Sequence, residues 1–233
     1  MENFLTRTIS LLGKDSVDIL QNSRVAVFGL GGVGSYCAEA LVRCGVGSID
    51  LIDSDTINVT NINRQIIALN STLGLAKTEV LAGRLKDINP KLNVKIYQTF
   101  FSKENSEEFD FTQYDYVIDA IDTVSSKIEL IIKSKEVDCP IISSMGTGNK
   151  IYPEKFEIAD IYKTSVCPLA RVMRTELKKR GVKNLKVLYS KENPIKNSEQ
   201  IGKMVPSSIS FTPPVAGMII AGEVVRSLIF WNK

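Results

Sequence analysis

Residues 24–34 read Arg-Val-Ala-Val-Phe-Gly-Leu-Gly-Gly-Val-Gly, and this stretch decides how the chain folds. The apolar run from Val25 to Phe28 is typical of a short buried strand. Glycines 29, 31 and 34 follow at once, and glycine allows both a sharp turn and a close approach of the backbone to a ligand. A helix predicted from Val33 would point its free N–H groups and positive dipole end at a phosphate. The stretch therefore predicts a strand, a phosphate-binding turn and a helix.

A second predicted strand ends at Asp53, 24 positions after Gly29. A carboxylate near that distance can hydrogen-bond a ribose hydroxyl in a Rossmann-type nucleotide site. We therefore expect an α/β fold: a Rossmann-like, mostly parallel sheet with helices on both faces, plus a small basic C-terminal extension. Residues 1–150 are predicted to form the nucleotide-binding core. Residues 151–233 are predicted to be the C-terminal part of the same domain, with a basic substrate-facing segment and a closing helix.

Polar and cationic residues follow soon after the ribose carboxylate, and they narrow the choice of nucleotide. Asn61, Arg64, Gln65 and Lys77 all lie in this region. A dinucleotide carries two linked phosphates, which a helix end can largely accommodate. A nucleoside triphosphate carries more charge and favours cationic side chains. Arg64 and Lys77 could supply that charge.

Five motifs in this order resemble the activating enzymes of ubiquitin-like proteins and their bacterial relatives in molybdopterin and thiamine synthesis. They are G-x-G-G-x-G at 29–34, D-x-D at 53–55, N-x-x-R-Q at 61–65, G-x-x-K at 74–77, and an aspartate, Asp122, after the fourth strand. The resemblance implies transfer of AMP from ATP to a carboxylate. The ATP-binding residues it implies are Gly29, Gly31, Gly32, Gly34, Asp53, Asp55, Asn61, Arg64, Gln65 and Lys77.

The same resemblance implies two further roles at the reaction centre, beside those of Arg64 and Lys77. Asp122 would hold the magnesium ion that accompanies ATP, since hard cations take oxygen ligands; the alternative is an N-cap for the helix near Ser125. Arg7 would reach across a homodimer to the ATP phosphates of the other subunit; the alternative is a plain surface arginine.

A longer set of segments resembles one branch of this family, the bacterial tRNA threonylcarbamoyladenosine dehydratases. The segments are 29–35, 60–65, 117–122, 143–149 and 156–174, and the resemblance extends from Phe4 to about Leu228. It implies ATP-dependent dehydration, by cyclisation, of N6-threonylcarbamoyladenosine at position 37 of tRNA through an acyl-adenylate. Ring closure within one molecule needs no enzyme nucleophile. The absence of histidine from the chain agrees with that chemistry.

Charge is unevenly distributed along the chain. Residues 163–203 contain 11 Lys or Arg against 3 Asp or Glu, in a chain whose net charge is +3. A basic lobe of this kind suggests a polyanionic partner, although a solvated surface loop is the plain alternative. The candidates for contact with tRNA are Lys150, Lys163, Arg171 and Arg174.

Three other functions remain open at this point. An adenylyltransferase for the C-terminus of a ubiquitin-like or sulfur-carrier protein would share the ATP site, but the chain has no C-x-x-C pair for the zinc site. An NAD-dependent oxidoreductase explains the glycines and Asp53 but leaves Arg64, Lys77 and Asp122 unexplained. A nucleotide-binding module without catalysis is the third. The sequence leaves open which tRNAs are used, whether a sulfur-relay protein takes part, whether a monovalent cation binds, and what Cys167 does.

The C-terminal part carries three structural expectations. We expect a loop over residues 191–205, a last strand over 209–211 and a helix over 215–230. That helix is expected to be buried rather than to span a membrane, because Glu223 and Arg226 interrupt it. With no signal-peptide pattern at the N-terminus, we expect a cytoplasmic protein.

Overall fold

The computed structural model describes residues 3–195 and 207–231. One seven-stranded sheet runs through the described residues, in the order β3-β2-β1-β4-β5-β7-β6. Its strands are β1 Arg24–Phe28, β2 Ser48–Ile52, β3 Asn93–Tyr97, β4 Tyr116–Asp119, β5 Ile141–Ser144, β6 Phe156–Asp160 and β7 Lys186–Ser190. All neighbouring strands pair in parallel except β6, which is antiparallel to β7. The predicted α/β class with a mostly parallel sheet is confirmed.

Seven helices cover the two faces of this sheet within the described residues. They are α1 Thr6–Leu12, α2 Lys14–Asn22, α3 Gly34–Cys44, α4 Lys77–Ile88, α5 Val124–Glu136, α6 Pro168–Lys179 and α7 Thr212–Trp231. Side chains alternate across each strand, so Val25 and Val27 of β1 join the core shared with α3, α4 and α7. Ala26 and Phe28 point the other way, into the core shared with α5 and α6. The central strands are buried on both faces, as parallel strands under two helical layers must be.

Helix α7 is long and apolar enough to cross a membrane by length and composition. It packs most extensively on α3. Ala216, Ile220 and Val224 are fully buried there. A Cβ at Gly217 would lie 2.3 Å from the carbonyl oxygen of Val33, so the two backbones touch. The packing is that of a core helix.

The C-terminal part differs most from the sequence expectation. The strand predicted over 209–211 is wrong, because these residues form an exposed bend that leads into α7. The sheet instead gains β6 and β7, which we did not predict, from a segment in which charged residues obscure the short strand pattern. The boundary proposed near residue 150 falls between β5 and β6, and the division of the chain there stays a prediction. Most of the predicted 191–205 loop lies outside the described residues, as does the end of the basic 163–203 segment.

Candidate functional site

A cavity of about 710 Å³ lies beyond the carboxyl ends of β1, β2, β4 and β5. The strand order reverses between β1 and β4, and open α/β sheets bind ligands in the crevice at such a reversal. The loops that follow these four strands line the cavity together with the start of α6. Of the residues predicted to bind ATP, all line it except Gly34: Gly29, Gly31, Gly32, Asp53, Asp55, Asn61, Arg64, Gln65 and Lys77.

The turn requires glycine at its different positions for different structural reasons. Gly29 has a φ of 88°, and a Cβ there would lie 2.6 Å from the carbonyl oxygen of Ala120. A Cβ on Gly34 would lie 1.8 Å from the carbonyl oxygen of Gly29, so Gly34 lets α3 start against the end of β1. Gly31 differs, because a Cβ there would meet only the Gln65 Nε2, at 3.8 Å. Gly31 therefore leaves open space on the cavity side, where a phosphate can approach the backbone.

Asp53 anchors the glycine turn to the end of β2. Its Oδ2 accepts a hydrogen bond from the Leu30 N–H at 2.6 Å, and its Oδ1 accepts one from the Asp55 N–H at 2.8 Å. The Lys77 Nζ lies 2.6 Å from the Asp55 Oδ2 and 3.8 Å from the Asp53 Oδ1. Lys77 is buried, whereas Asp55 is 64% exposed at its side chain. A phosphate entering the cavity would compete with Asp55 for this buried cation.

The segment after β2 presents three polar side chains. Arg64 is half-buried and its Nη1 donates to the Thr60 carbonyl oxygen at 2.8 Å and to the Asn63 Oδ1 at 2.9 Å. The Asn61 Oδ1 accepts from the Asn58 N–H at 3.0 Å, which closes a short 3₁₀ turn. The Gln65 Oε1 is buried and has no hydrogen-bond partner among the residues that the structure describes. Because buried polar atoms are normally paired, this oxygen indicates a place for a ligand donor.

Asp122 lies in the loop after β4, which ends at Asp119. Its side chain is exposed at the cavity, and its contact with the Thr123 hydroxyl is long, at 3.4 Å. The N-cap alternative for Asp122 is wrong, because the N-cap residue of α5 is Thr123 and no side chain caps that helix. The carboxylate is therefore available to a ligand in the cavity.

Lys127 is a site residue that the sequence analysis missed. Its Nζ lies 2.9 Å from the Asp119 Oδ2, and both side chains are fully buried. It also donates to the carbonyl oxygens of Ile121, at 3.1 Å, and Ser144, at 2.8 Å. Lys127 thus joins the loops that follow β4 and β5 behind the cavity wall. The sequence does contain a pattern that indicates its burial. Lys127 lies three residues after Val124 and four before Ile131, which places it on the apolar face of α5.

The predicted tRNA contacts differ in how far they are exposed. Lys150 is buried in the cavity wall, whereas Lys163 and Arg171 are exposed on and before α6. Arg174 is half-buried and its guanidinium donates to both the carbonyl and the hydroxyl oxygen of Thr164, so it holds a turn. Arg7, on α1, is exposed and does not line the cavity of its own chain.

The model of the ThiF family matches residues 5–233, which is nearly the whole chain. The chain belongs to the ThiF family. A tRNA threonylcarbamoyladenosine dehydratase of Bacillus subtilis is 45% identical to it, across 94% of this chain and 91% of that protein.

Two solved structures of the Escherichia coli tRNA N6-threonylcarbamoyladenosine dehydratase have nearly the same fold. The complex with AMP has a TM-score of 0.91 and 31% identity, and covers 97% of this chain and 94% of that chain. The complex with ATP has a TM-score of 0.90 and 32% identity, and it covers 97% of this chain and 93% of that chain. The family resemblance inferred from the motifs is confirmed.

We predict that Lys127→Ala strongly destabilises this ThiF-family chain. The change leaves the Asp119 carboxylate buried without its cation, which typically costs about 3–5 kcal/mol. The matched control on the same helix is Lys133→Ala, whose partners Glu107 and Glu136 are 82% and 54% exposed, so this change should barely move the unfolding midpoint. Chemical denaturation measures both. Equal unfolding midpoints for the two variants would contradict a structural role for Lys127.

Proposed function

We propose that the protein catalyses the ATP-dependent dehydration of N6-threonylcarbamoyladenosine at position 37 of tRNA. The observation that carries this proposal is the match to the Bacillus subtilis dehydratase, 45% identical across 94% of this chain and 91% of that protein. The AMP and ATP complexes of the E. coli dehydratase share the fold that forms the cavity here. The threonyl carboxylate is the group activated, and the cyclic form of the modified base is the product.

The residues of the cavity fit a nucleoside triphosphate. Gly31 leaves the backbone open toward the cavity, and the buried Gln65 Oε1 lacks a hydrogen-bond partner within residues 3–195 and 207–231. Arg64 and Lys77 bring two cations to the same space. Two cations and a helix N-terminus supply more positive charge than the two linked phosphates of a dinucleotide require. This counts against the NAD-dependent alternative.

The chemistry is activation followed by ring closure. A carboxylate oxygen of the threonyl group attacks the α-phosphorus of ATP, and pyrophosphate leaves as the acyl-adenylate forms. Arg64 and Lys77 would stabilise the negative charge that develops on the phosphates during this step. The neighbouring carbamoyl group then attacks the acyl carbon, a proton is released and AMP leaves with the carboxylate oxygen. The second step is intramolecular, so the chain needs to supply orientation rather than a nucleophile.

Magnesium would be held by Asp122, whose exposed carboxylate faces the cavity. Within the described ranges 3–195 and 207–231, no group of three or more His, Cys, Asp or Glu side chains could hold a metal ion. Most ligands would therefore be phosphate oxygens and water, which is the usual arrangement for magnesium with a nucleotide. The ion would neutralise part of the phosphate charge. The monovalent cation stays a prediction without an assigned site.

A homodimer would complete the site if Arg7 acts across subunits. Arg7 lies on α1, where Leu11 is 83% exposed and nearby Phe4 is 50% exposed. A contact between two subunits at α1 would cover these apolar side chains. We further propose a cytoplasmic protein without membrane attachment, and we leave a sulfur-relay partner as a prediction.

The test of the function is mass spectrometry of nucleosides from tRNA that carries N6-threonylcarbamoyladenosine, after incubation with the protein and ATP. We expect a product lighter by one water, formed only when ATP is present. Lys77→Ala should lower kcat/KM by roughly 10²–10³, the usual effect of removing one preorganised charge from a transition state. Lys86→Ala, exposed on the same helix, is the control and should keep full activity.

Unchanged tRNA would overturn this function. If ATP–pyrophosphate exchange then required the C-terminus of a small protein, the enzyme would be an adenylyltransferase for a ubiquitin-like or sulfur-carrier protein. If wild-type turnover persisted in Lys77→Ala, Lys77 would not belong to the reacting site.

The tRNA surface can be tested by salt dependence. The double change of Lys163 and Arg171 to alanine should weaken tRNA binding and reduce the slope of log K against log salt by about one for each phosphate that the protein no longer neutralises. Arg174 is left in place because it holds the Thr164 turn. Affinities for tRNA measured at several salt concentrations give this slope. An unchanged slope would mean that tRNA binds a different surface of the protein.

Action of Arg7 across a dimer can be tested by mixing. Arg7→Ala and Lys77→Ala proteins should each be inactive alone. Random re-association would give mixed dimers with one intact site, so about a quarter of wild-type activity should return. Activity of the mixture no higher than that of the separate variants would exclude contribution from the second subunit.

A further inference from the structure

Lys150 is a buried lysine that none of the five motifs implied for ATP binding includes. It lines the cavity and is 3% exposed. Among residues 3–195 and 207–231, its Nζ has no hydrogen bond and no ion pair, although its carbonyl oxygen accepts from the Thr212 hydroxyl at 3.1 Å. A buried charge without a partner is unfavourable. The position of this side chain on the cavity wall therefore indicates an anionic ligand.

The start of α6 lies on the same part of the cavity wall and offers a second set of donors. Cys167, Pro168 and Leu169 line the cavity, and Cys167, the N-cap residue, makes no side-chain cap. Pro168 has no N–H to donate, so the Leu169 and Ala170 N–H groups are the free donors of this first turn. Helix α6 is twelve residues long, and the positive end of its dipole favours an anion here.

The backbone on both sides of this region is held in uncommon conformations. Val166, just before α6, has a φ of 42°, and the Cys167 N–H donates to the Ser165 carbonyl oxygen to close a three-residue turn. A β-branched residue in such a turn is strained, and it persists where surrounding contacts impose it. Asn149, next to Lys150, has a φ of 58°. Its Oδ1 accepts from the Ser207 N–H at 2.7 Å.

We propose that Lys150 and the uncapped start of α6 bind the threonyl carboxylate of the substrate and hold it for attack on ATP. This inference rests on the proposed function and names the part of the cavity that takes the substrate. One cation and one helix end match the single charge of a carboxylate. The cations suited to the triphosphate are Arg64, in the segment after β2, and Lys77, the first residue of α4. A tRNA backbone phosphate is the poorer match, because Lys150 is nearly inaccessible from the surface.

Titration of Lys150 gives the site a pH dependence. Burial lowers the pKa of Lys150, and the neighbouring Cys167 and Glu192 oppose part of that effect. Glu192 is itself engaged, since its carboxylate accepts the N–H groups of Ile151 and Tyr152, both at 3.0 Å. The cation is therefore lost at a lower pH than for an ordinary lysine, and carboxylate binding should weaken as the pH rises. Lys150→Arg keeps its charge and should remove this dependence.

The experiment compares wild type, Lys150→Met and Lys150→Arg on two otherwise identical tRNAs, one with the threonylcarbamoyl group at adenosine 37 and one without it. Wild type should prefer the modified tRNA, and Lys150→Met should lose about tenfold to a hundredfold of that preference, the usual range for a hydrogen bond to a charged group. The KM for ATP and the affinity for unmodified tRNA should not change. Lys150→Arg should keep the preference. Lys155→Met, an exposed lysine that stacks on Tyr152, is the matched control.

Three results would overturn the inference. A raised KM for ATP with the tRNA preference intact would mean that the site holds a phosphate of the nucleotide. An equal loss of affinity for both tRNAs would mean contact with the tRNA backbone. An unchanged preference in Lys150→Met would remove Lys150 from substrate binding altogether. The binding comparison does not depend on turnover, so a wild-type protein that binds but forms no cyclic product would overturn the proposed function alone.

Discussion

The contact between Gly34 and the carbonyl oxygen of Gly29 is the constraint on which the site depends. A side chain at Gly34 would occupy the space of that oxygen, 1.8 Å from its Cβ position. Only glycine lets α3 begin so close to the end of β1, with its N–H groups facing the crevice between β1 and β4. Gly29 in turn packs against Ala120 after β4. The turn, the start of α3 and the strand-order reversal therefore form one unit, and the cavity follows from it.

Three buried lysines of this cavity region differ in how completely their charge is paired. Lys127 has the Asp119 carboxylate and two carbonyl oxygens, and it lies behind the wall rather than on it. Lys77 has the exposed carboxylate of Asp55, which a phosphate can replace. Within residues 3–195 and 207–231, the Lys150 Nζ makes no hydrogen bond and no close ion pair, although it feels the charge of the nearby Glu192. A buried lysine whose charge is fully paired suits a structural role. A lysine whose charge is weakly paired can still bind an anionic ligand. The degree of pairing therefore distinguishes the lysine of the scaffold from those of the binding site.

The sequence predicted local features well and long-range ones poorly. The apolar run before Gly29 sufficed to predict β1, which contains that run and Arg24, because strand, turn and helix there are encoded in adjacent residues. The burial of Lys150 could not be predicted, since it depends on chain segments far away, at Glu192 and Thr212. The strand placed at 209–211 was wrong for a related reason. Exposed apolar residues there have the composition of a strand, but no neighbouring strand edge among the described residues receives them.

The central claim is that the threonyl carboxylate is activated by transfer of AMP before the ring closes. It is tested most directly with tRNA whose threonyl carboxylate carries oxygen-18 in both positions, incubated with the protein and unlabelled ATP. The acyl-adenylate route predicts cyclic product together with AMP that contains one oxygen-18 atom, since the leaving AMP takes one carboxylate oxygen with it. Unlabelled AMP, with the oxygen-18 found in phosphate, pyrophosphate or water, would contradict that route and the function derived from it.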